Sequence, residues 1–505
     1  MVDKFLITNN SALKKKYGAE GVAALLAAVK AYIAADKAKG LTTRLVDISD
    51  AAQMKKFKGK PVSSPSNERQ CKDAVDAIHA AEKPDYLVLL DGPDVVPHLR
   101  LTNPTEDVDQ DVPSDLPYAS DAPFTSRDPA KYANVTRVVG RIPGLTGRKD
   151  PRYLIALLKS ASGFKTRKRQ DYLPYFAISA QVWSKSTQQS VGNIFPDDKI
   201  VTAPPVTTPG VGRLLVPLSH FINCHGATNN PNFFGQQGEQ FPIAMTSDDV
   251  KKNVKPGTVV AAECCYGAQL YDPDMTQGTL PISNAYLGRG AVGFFGSSTI
   301  AYGPAEGNSG ADLITQYFLM RILTGSSLGR ACLQARQRFV MSEKMEDPVN
   351  VKTLAQFILL GDPSLHPCLL ETASVKAAAG IIDHAAAREI RRAALAAAAQ
   401  AAAESSGFPG KRARPAPRLH SQVHGLARKL GFRVSRKAVK SFHTVAGANY
   451  RRELKARDIE HKVAMVTHYA SRRGKGAAAL VDDIRILVAH ARDNKVIEVT
   501  AYVRR

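Results

Sequence analysis

Tryptophan occurs once and cysteine only six times in 505 residues, and apolar residues never run unbroken for the roughly 18 positions that a spanning helix needs. So few cysteines exclude a disulfide scaffold and point to free thiols (Cys71, Cys224, Cys264, Cys265, Cys332 and Cys368). The opening stretch, MVDKFLITNNSALKKK, has no apolar segment of signal-peptide length, so a cytoplasmic chain with no membrane span is expected. Nucleotide motifs are missing too: there is no G-x-x-x-x-G-K-[ST], and GRGAVG lacks the dinucleotide fingerprint. No cofactor is expected.

What is present is a soluble composition, 44% hydrophobic and 23% charged, in a chain long enough for two or three domains. The net charge of +22 is uneven, since residues 371–505 hold 27 Lys or Arg against 11 Asp or Glu, a difference of +16. A basic surface of that kind attracts nucleic acid or an acidic partner, or simply keeps a tail soluble.

The first 95 residues alternate strand-like and helix-like stretches: KFLIT, a helical run from Ser11 to Asp36, TTRLVDI, a helix over about 67–83, and DYLVLLDG. Alternation of this kind predicts parallel βαβ units in an open sheet. After a Pro- and Asp-rich excursion the pattern resumes at VTRVVGRIP, with a helix near 151–164. It returns in YFAISA, LLVPLSHFINCHG, GTVVAAECCYG, AVGFFGSS and FILLGDPSLHP, with helices near 309–323 and 326–342. Residues 372–404 are Ala-dominated and favour helix. ESSGFPGKRARPAPRL reads as a linker, and KRARP within it as a weak nuclear-localisation pattern. A basic helix near 421–430 and two strand-like runs, DIRILVAHA and KVIEVTAYV, suggest a final α+β module.

Ligands in an open α/β sheet sit beyond the carboxyl ends of the strands. His225 and Cys264 each end an apolar run there, followed by Gly226 and Gly267. A thiol beside an imidazole forms an activated nucleophile. Backbone N–H groups of Gly226 and of the nucleophile itself would stabilise an oxyanion, each well-placed donor being worth about 3 kcal/mol of barrier. A zinc site from Cys224, His225, Cys264 and Cys265 is the weaker alternative, because adjacent ligands point apart and no C-x-x-C is present. No metal is expected.

The ordered succession PDYLVLLDGPDVVPH, PSDLPYASD, VTRVVGRIPG, INCHGA, VVAAECCYG, AVGFFGSS and FILLGDPSLHP resembles the caspase-like (clan CD) cysteine peptidases, and within them the gingipain family, over about residues 85–367. The resemblance implies a caspase-like α/β sandwich with mostly parallel sheets and a cysteine endopeptidase acting on protein or peptide through a Cys-His dyad. The family's Cys-x-x-Gly spacing selects Cys264 as nucleophile; the Cys-x-Gly spacing of caspases would select Cys265. Glu263 stands where many relatives have a small residue, and its role is open. PSDLPYASD resembles the segment that contributes to an Arg-binding pocket, which makes Asp115 the candidate for substrate binding and cleavage after a basic residue the expected preference; the bland reading of Asp115 is a turn-capping aspartate. The expected division is an N-terminal α/β subdomain (1–165), a catalytic subdomain (166–370), an Ala-rich helix (371–404), a linker (405–420) and a basic C-terminal module (421–505). The rival to a peptidase is a catalytically silent scaffold whose basic module binds nucleic acid or an acidic partner.

Overall fold

The structure is a computed structural model that describes residues 2–304, 307–369, 393–401, 407–413, 416–433, 439–446, 462–470, 480–492 and 494–505. Most of the expected Ala-rich helix lies outside the described residues; residues 393–401 are helical.

Short apolar runs become the strands of one large sheet. They are β1 (Lys4–Thr8), β2 (Thr43–Asp47), β3 (Tyr86–Leu90), β4 (Val139–Ile142), β5 (Tyr175–Ala180), β6 (Val201–Ala203), β7 (Ser219–Asn223), β8 (Val259–Ala262) and β9 (Gly293–Ser297). After β10 (Tyr302–Pro304), which pairs elsewhere, β11 (Phe357–Gly361) completes the set. The sheet order is β2-β1-β3-β4-β11-β9-β8-β7-β5-β6. Every pairing is parallel except β9 with β11, so the sheet consists of two parallel halves that run in opposite directions and meet at that pair. Strands β1, β3, β7, β8, β9 and β11 are buried along their whole length, as strands covered by helices on both faces must be. The run expected as one strand from Leu214 begins only at Ser219, because residues 210–214 form a 3-10 turn that leaves Leu214 and Val216 exposed.

Helix α1 (Asn10–Ala38) starts at Asn9, whose side chain accepts from the Ala12 N–H, and is interrupted at Gly18, which adopts a positive φ. It is long and apolar enough to cross a membrane by length and composition, with a mean hydropathy of 1.4 over its best window. Its buried residues Val22, Leu25, Val29, Tyr32 and Asp36 recur at helical spacing, so one stripe faces the core. Helices α2 (Glu68–Glu82), α3 (Arg152–Gly163), α4 (Ser184–Ile194), α5 (Ala311–Leu323) and α6 (Leu328–Ser342) supply the other crossovers and covering layers.

The C-terminal residues form an antiparallel sheet of β12 (Gly407–Ala413), β13 (Lys440–Ala446), β14 (Lys462–Ala470), β15 (Asp483–Arg492) and β16 (Lys495–Arg504), covered by helix α7 (Pro417–Lys429). Residues 405–420, expected as a linker, thus contribute an edge strand and the first turn of a helix. Both placements suit proline: Pro409 sits on the sheet's edge, and Pro417 opens α7, where a missing N–H costs nothing. The other edge of this sheet is β10, which belongs to the large domain and pairs with β16. Through that pairing the chain's last residues reach the carboxyl ends of β7 and β8.

Candidate active site

The register of β7 against β8 decides which side chains meet. Ile222 lies opposite Ala262, so His225 and Cys265 each stand three residues beyond a matched pair, and Cys224 and Cys264 two beyond. Since neighbours in extended chain point to opposite faces, Cys264 belongs with Cys224 and Cys265 with His225. The contacts agree. The Cys224 N–H donates to Cys264 Sγ at 3.4 Å, and the Cys264 thiol lies 3.7 Å from the Ile222 carbonyl oxygen. Cys265 Sγ instead accepts from the Ala301 N–H at 3.3 Å and lies against the backbone oxygen of Arg505. The structure therefore turns Cys264, the expected nucleophile, into the sheet's interior and Cys265 toward the groove beside β10. The same parity separates the four residues of the zinc alternative onto two faces, and no metal-holding cluster exists among the described residues.

His225 is buried between aromatic rings, its centroid 4.3 Å from that of Trp183 and 5.3 Å from that of Phe241. Its Nε2 pairs with Gln236 Oε1 at 2.7 Å. An accepting amide oxygen places the proton on Nε2 and the lone pair on Nδ1, the nitrogen a dyad would use as base. Gln236 was not foreseen from the sequence. It is delivered by backbone bonds between His225 and Phe234 that fold the segment back antiparallel, and its own N–H donates to Ala203. The structural-histidine role falls instead to His220, bonded to Tyr286 and to the Pro217 carbonyl and pushed by burial down to about 3.

Gly226 packs so closely on the segment of Cys265 that a Cβ there would lie 1.7 Å from the Cys265 carbonyl oxygen. Its carbonyl accepts from Arg504 Nη2 at 3.0 Å. The Cys265 N–H points to the backbone oxygen of Arg505 at 3.4 Å, which is where an oxyanion donor belongs. Tyr266, next in sequence, has a positive φ of 56° and is held by its hydroxyl to Asp109 Oδ1 at 2.6 Å. Asp109 also accepts from Lys352 Nζ and the Ile300 N–H, while Asp107 accepts from Lys352 and Tyr302. This buried network braces both the cysteine turn and β10.

A second pocket residue missed by sequence reasoning is Asp312, in the first turn of α5. Both its oxygens accept from Arg505 Nη2, at 3.0 and 2.9 Å, with neither side chain exposed. The guanidinium carbon lies 4.7 Å from the Trp183 ring centroid, and Ser186 Oγ and the Pro304 carbonyl complete the lining. Gly303 leaves the passage open: a Cβ there would lie 2.1 Å from Arg505 Nε. Glu263 adjoins Asp312; burial and then the neighbouring Asp312 push its carboxyl well up, against the pull of Arg505. Glu263 and Asp312 thus form an adjoining pair of buried acidic side chains.

The thiols differ in their electrostatics. Burial pushes Cys265 up, but the Arg504 guanidinium opposes the shift. Burial pushes Cys264 well up, and the adjoining Cys224 adds to it. A cation beside Cys265 stabilises a thiolate there and not at Cys264.

Asp115 lies in a different setting from the one expected. Its Oδ2 accepts from Arg141 Nε at 2.9 Å, and its Oδ1 meets Arg141 Nη2 at 2.6 Å and His98 Nδ1 at 2.9 Å. Burial raises its carboxyl, and Arg141 with His98 more than reverse this, holding it below the usual carboxylate range. With both oxygens bonded to a buried cation, Asp115 ties β4 to the preceding loop. His366 and Cys368, to which no role was assigned, bond to the carbonyls of Gly325 and Ile322.

Comparison with known proteins finds one family model that matches part of the chain. Residues 223–368, from the strand end that carries His225 through the last strands of the large domain, match Peptidase family C25. Among solved structures, the complex of the pro- and mature domains of Porphyromonas gingivalis RgpB is similar at 13% identity and a TM-score of 0.48, over 72% of this chain and 79% of that one. A protease structure is similar at 12% identity and a TM-score of 0.44, over 100% and 97%. The Saccharomyces cerevisiae separase–securin complex follows at 14% identity and a TM-score of 0.29, over 46% and 14%. No curated protein matches the chain. By the family match over residues 223–368, the segment that holds His225, Cys264 and Cys265, the chain is a cysteine-type peptidase.

Proposed function

We propose that the chain is an endopeptidase that cleaves after a basic residue, with Cys265 as nucleophile and His225 as its base. Cys265 Sγ attacks the scissile carbonyl carbon while His225 Nδ1 takes the thiol proton. The Cys265 N–H stabilises the oxyanion, with Gly226 as the second expected donor. The C–N bond breaks as His225 returns the proton to the leaving amine, and water then hydrolyses the thioester. Gln236 acts as a positioning residue that fixes the imidazole's tautomer. Asp312, with Glu263 and Trp183, recognises the guanidinium of the residue before the scissile bond.

The observation that carries this reading is Arg505 itself, whose backbone oxygen lies at Cys265 while its guanidinium is bound by Asp312. One residue thereby spans the distance between nucleophile and pocket that a substrate arginine would span. The test is hydrolysis of fluorogenic peptides varied at the residue before the scissile bond. It is run in chains carrying Arg505→Ser, so that the pocket is vacated, with and without Cys264→Ala or Cys265→Ala. Loss of arginine-directed cleavage with Cys265→Ala alone is expected; loss with Cys264→Ala alone would move the nucleophile back to the residue selected by spacing. Absence of cleavage in every chain would favour the silent scaffold.

A further inference from the structure

We infer that residues Tyr502–Arg505 occupy, within the same chain, the groove in which a peptide substrate lies on the acyl side of the scissile bond, so that the C-terminal module is a built-in, displaceable inhibitor. The inference rests on the peptidase reading for the groove's identity, and its geometry comes from four independent contacts.

The first is strand addition. Tyr302, Gly303 and Pro304 of β10 pair antiparallel with Arg504, Val503 and Tyr502, and the Arg505 N–H donates to the Ala301 carbonyl at 2.9 Å. Main-chain pairing of an extended segment with an edge strand is a common way to bind peptides, since it is indifferent to sequence and leaves specificity to the side-chain pockets. The second is register. The pairing brings Arg505 to Cys265, with its backbone oxygen against both the sulfur and the N–H of that residue. The third is the buried arginine. A guanidinium removed from water is tolerated only where a partner compensates it, and here both oxygens of the Asp312 carboxylate and the Trp183 face provide the compensation. The fourth lies outside the groove: Val481, from the same module, packs with Ala227, Phe234 and Phe241 beside the His225 ring. The module therefore covers both the cysteine and the histidine sides of the site.

A tethered occupant acts at an effective concentration in the millimolar range, so a free peptide meets a strong competitor until the strand is displaced. The module also has its own anchors on the large domain. Tyr502 donates to Asp347 at 2.7 Å, Thr467 donates to the Thr105 carbonyl at 3.2 Å, and Lys440 and Lys344 form ion pairs with Glu106 and Glu498. A ligand that pulls on those contacts would open the site.

The test separates occupancy from chemistry. In full-length chains carrying Cys265→Ala, so that no turnover occurs, fluorescein-labelled Tyr-Val-Arg-Arg is titrated and followed by anisotropy. It is expected to bind the Arg505→Ser chain, and a second chain lacking residues 502–505, at least ~100-fold more tightly than the chain with Arg505 intact. Circular dichroism confirms folding, and the point variant stands if the truncated one unfolds. Equal affinity for intact and altered chains, or no binding to a folded altered chain, would overturn the inference. Hydrolysis by the Cys265-intact Arg505→Ser chain is read separately. Peptide binding without hydrolysis sinks the peptidase reading and leaves the groove's occupancy standing, whereas equal hydrolysis with and without Arg505 sinks the occupancy alone.

Discussion

Asp115 and Asp312 are both buried carboxylates bound to an arginine, and only their partners distinguish scaffold from pocket. Asp115 holds Arg141, a fixed part of β4, so Asp115→Ala strands a buried guanidinium. That loss should cost about 3–5 kcal/mol of stability, read as a lowered urea midpoint, without changing which residue is preferred before the scissile bond. Asp312 holds a residue at the groove, so Asp312→Asn in an Arg505→Ser chain should lower kcat/KM for arginine substrates by about 2–5 kcal/mol, roughly 30-fold or more, while leaving the melting temperature nearly unchanged. A preference that follows Asp115 instead would contradict this division. The two roles were not separable in the sequence, because an aspartate in a loop gives no sign of its partner. His225 could be singled out in the sequence only through its pairing with a cysteine that ends a later apolar run, since an isolated histidine in an α/β domain is more often structural. Spacing to a following glycine selects Cys264 and strand register selects Cys265, since the interval from His225 to Cys265 equals that from Ile222 to Ala262; the proposal follows the register.

At the scale of elements, the site depends on how closely β7 and β8 approach beyond their last paired residues. Gly226 lies where a Cβ would collide with backbone, which cannot yield as a flexible side chain can. Gly226→Ala should therefore separate the two strand ends, abolish peptide hydrolysis and cost about 1–3 kcal/mol in chemical denaturation; a fully active variant would show that this approach is dispensable. The strands of the large sheet were readable because each is a short apolar run followed by a helix. The hidden features are those that local pattern does not encode. The reversal of direction at β9 and β11 is one, and the return of β16 to pair with β10 from nearly 200 residues away is another. Proline misled in the opposite direction, since residues 405–420 look like a linker by composition yet place Pro409 and Pro417 where strand edges and helix starts accept them.

At the scale of the molecule, the C-terminal module spends part of its basic charge internally: Arg504, Arg505 and Lys440 contact Gly226, Asp312 and Glu106. Its docking should depend on pH through Asp347, which accepts from the Tyr502 hydroxyl. Burial raises this carboxyl to about 7; Tyr502 and the Val349 N–H oppose the shift, and Glu343 and Glu346 add to it. A carboxyl with a raised value in the docked state binds more protons there than when released to water near its ordinary value of about 3.9. Docking is therefore strongest below about pH 4, weakens as pH rises toward about 7 and levels off above it, by at most about 4 kcal/mol. Hydrogen exchange of residues 495–505 between pH 4.5 and 8 should show faster opening at the upper end once the intrinsic rate is corrected; slower opening at high pH would contradict it.

The central claim, that Cys265 is the nucleophile of an arginine-directed peptidase, is tested most directly by labelling. The Arg505→Ser chain is treated with a peptidyl-arginine chloromethyl ketone, digested, and the alkylated residue identified by mass spectrometry. The account predicts a single adduct on Cys265 that disappears with Cys265→Ala and is greatly reduced with Asp312→Asn. An adduct on Cys264, or labelling indifferent to arginine, would contradict it.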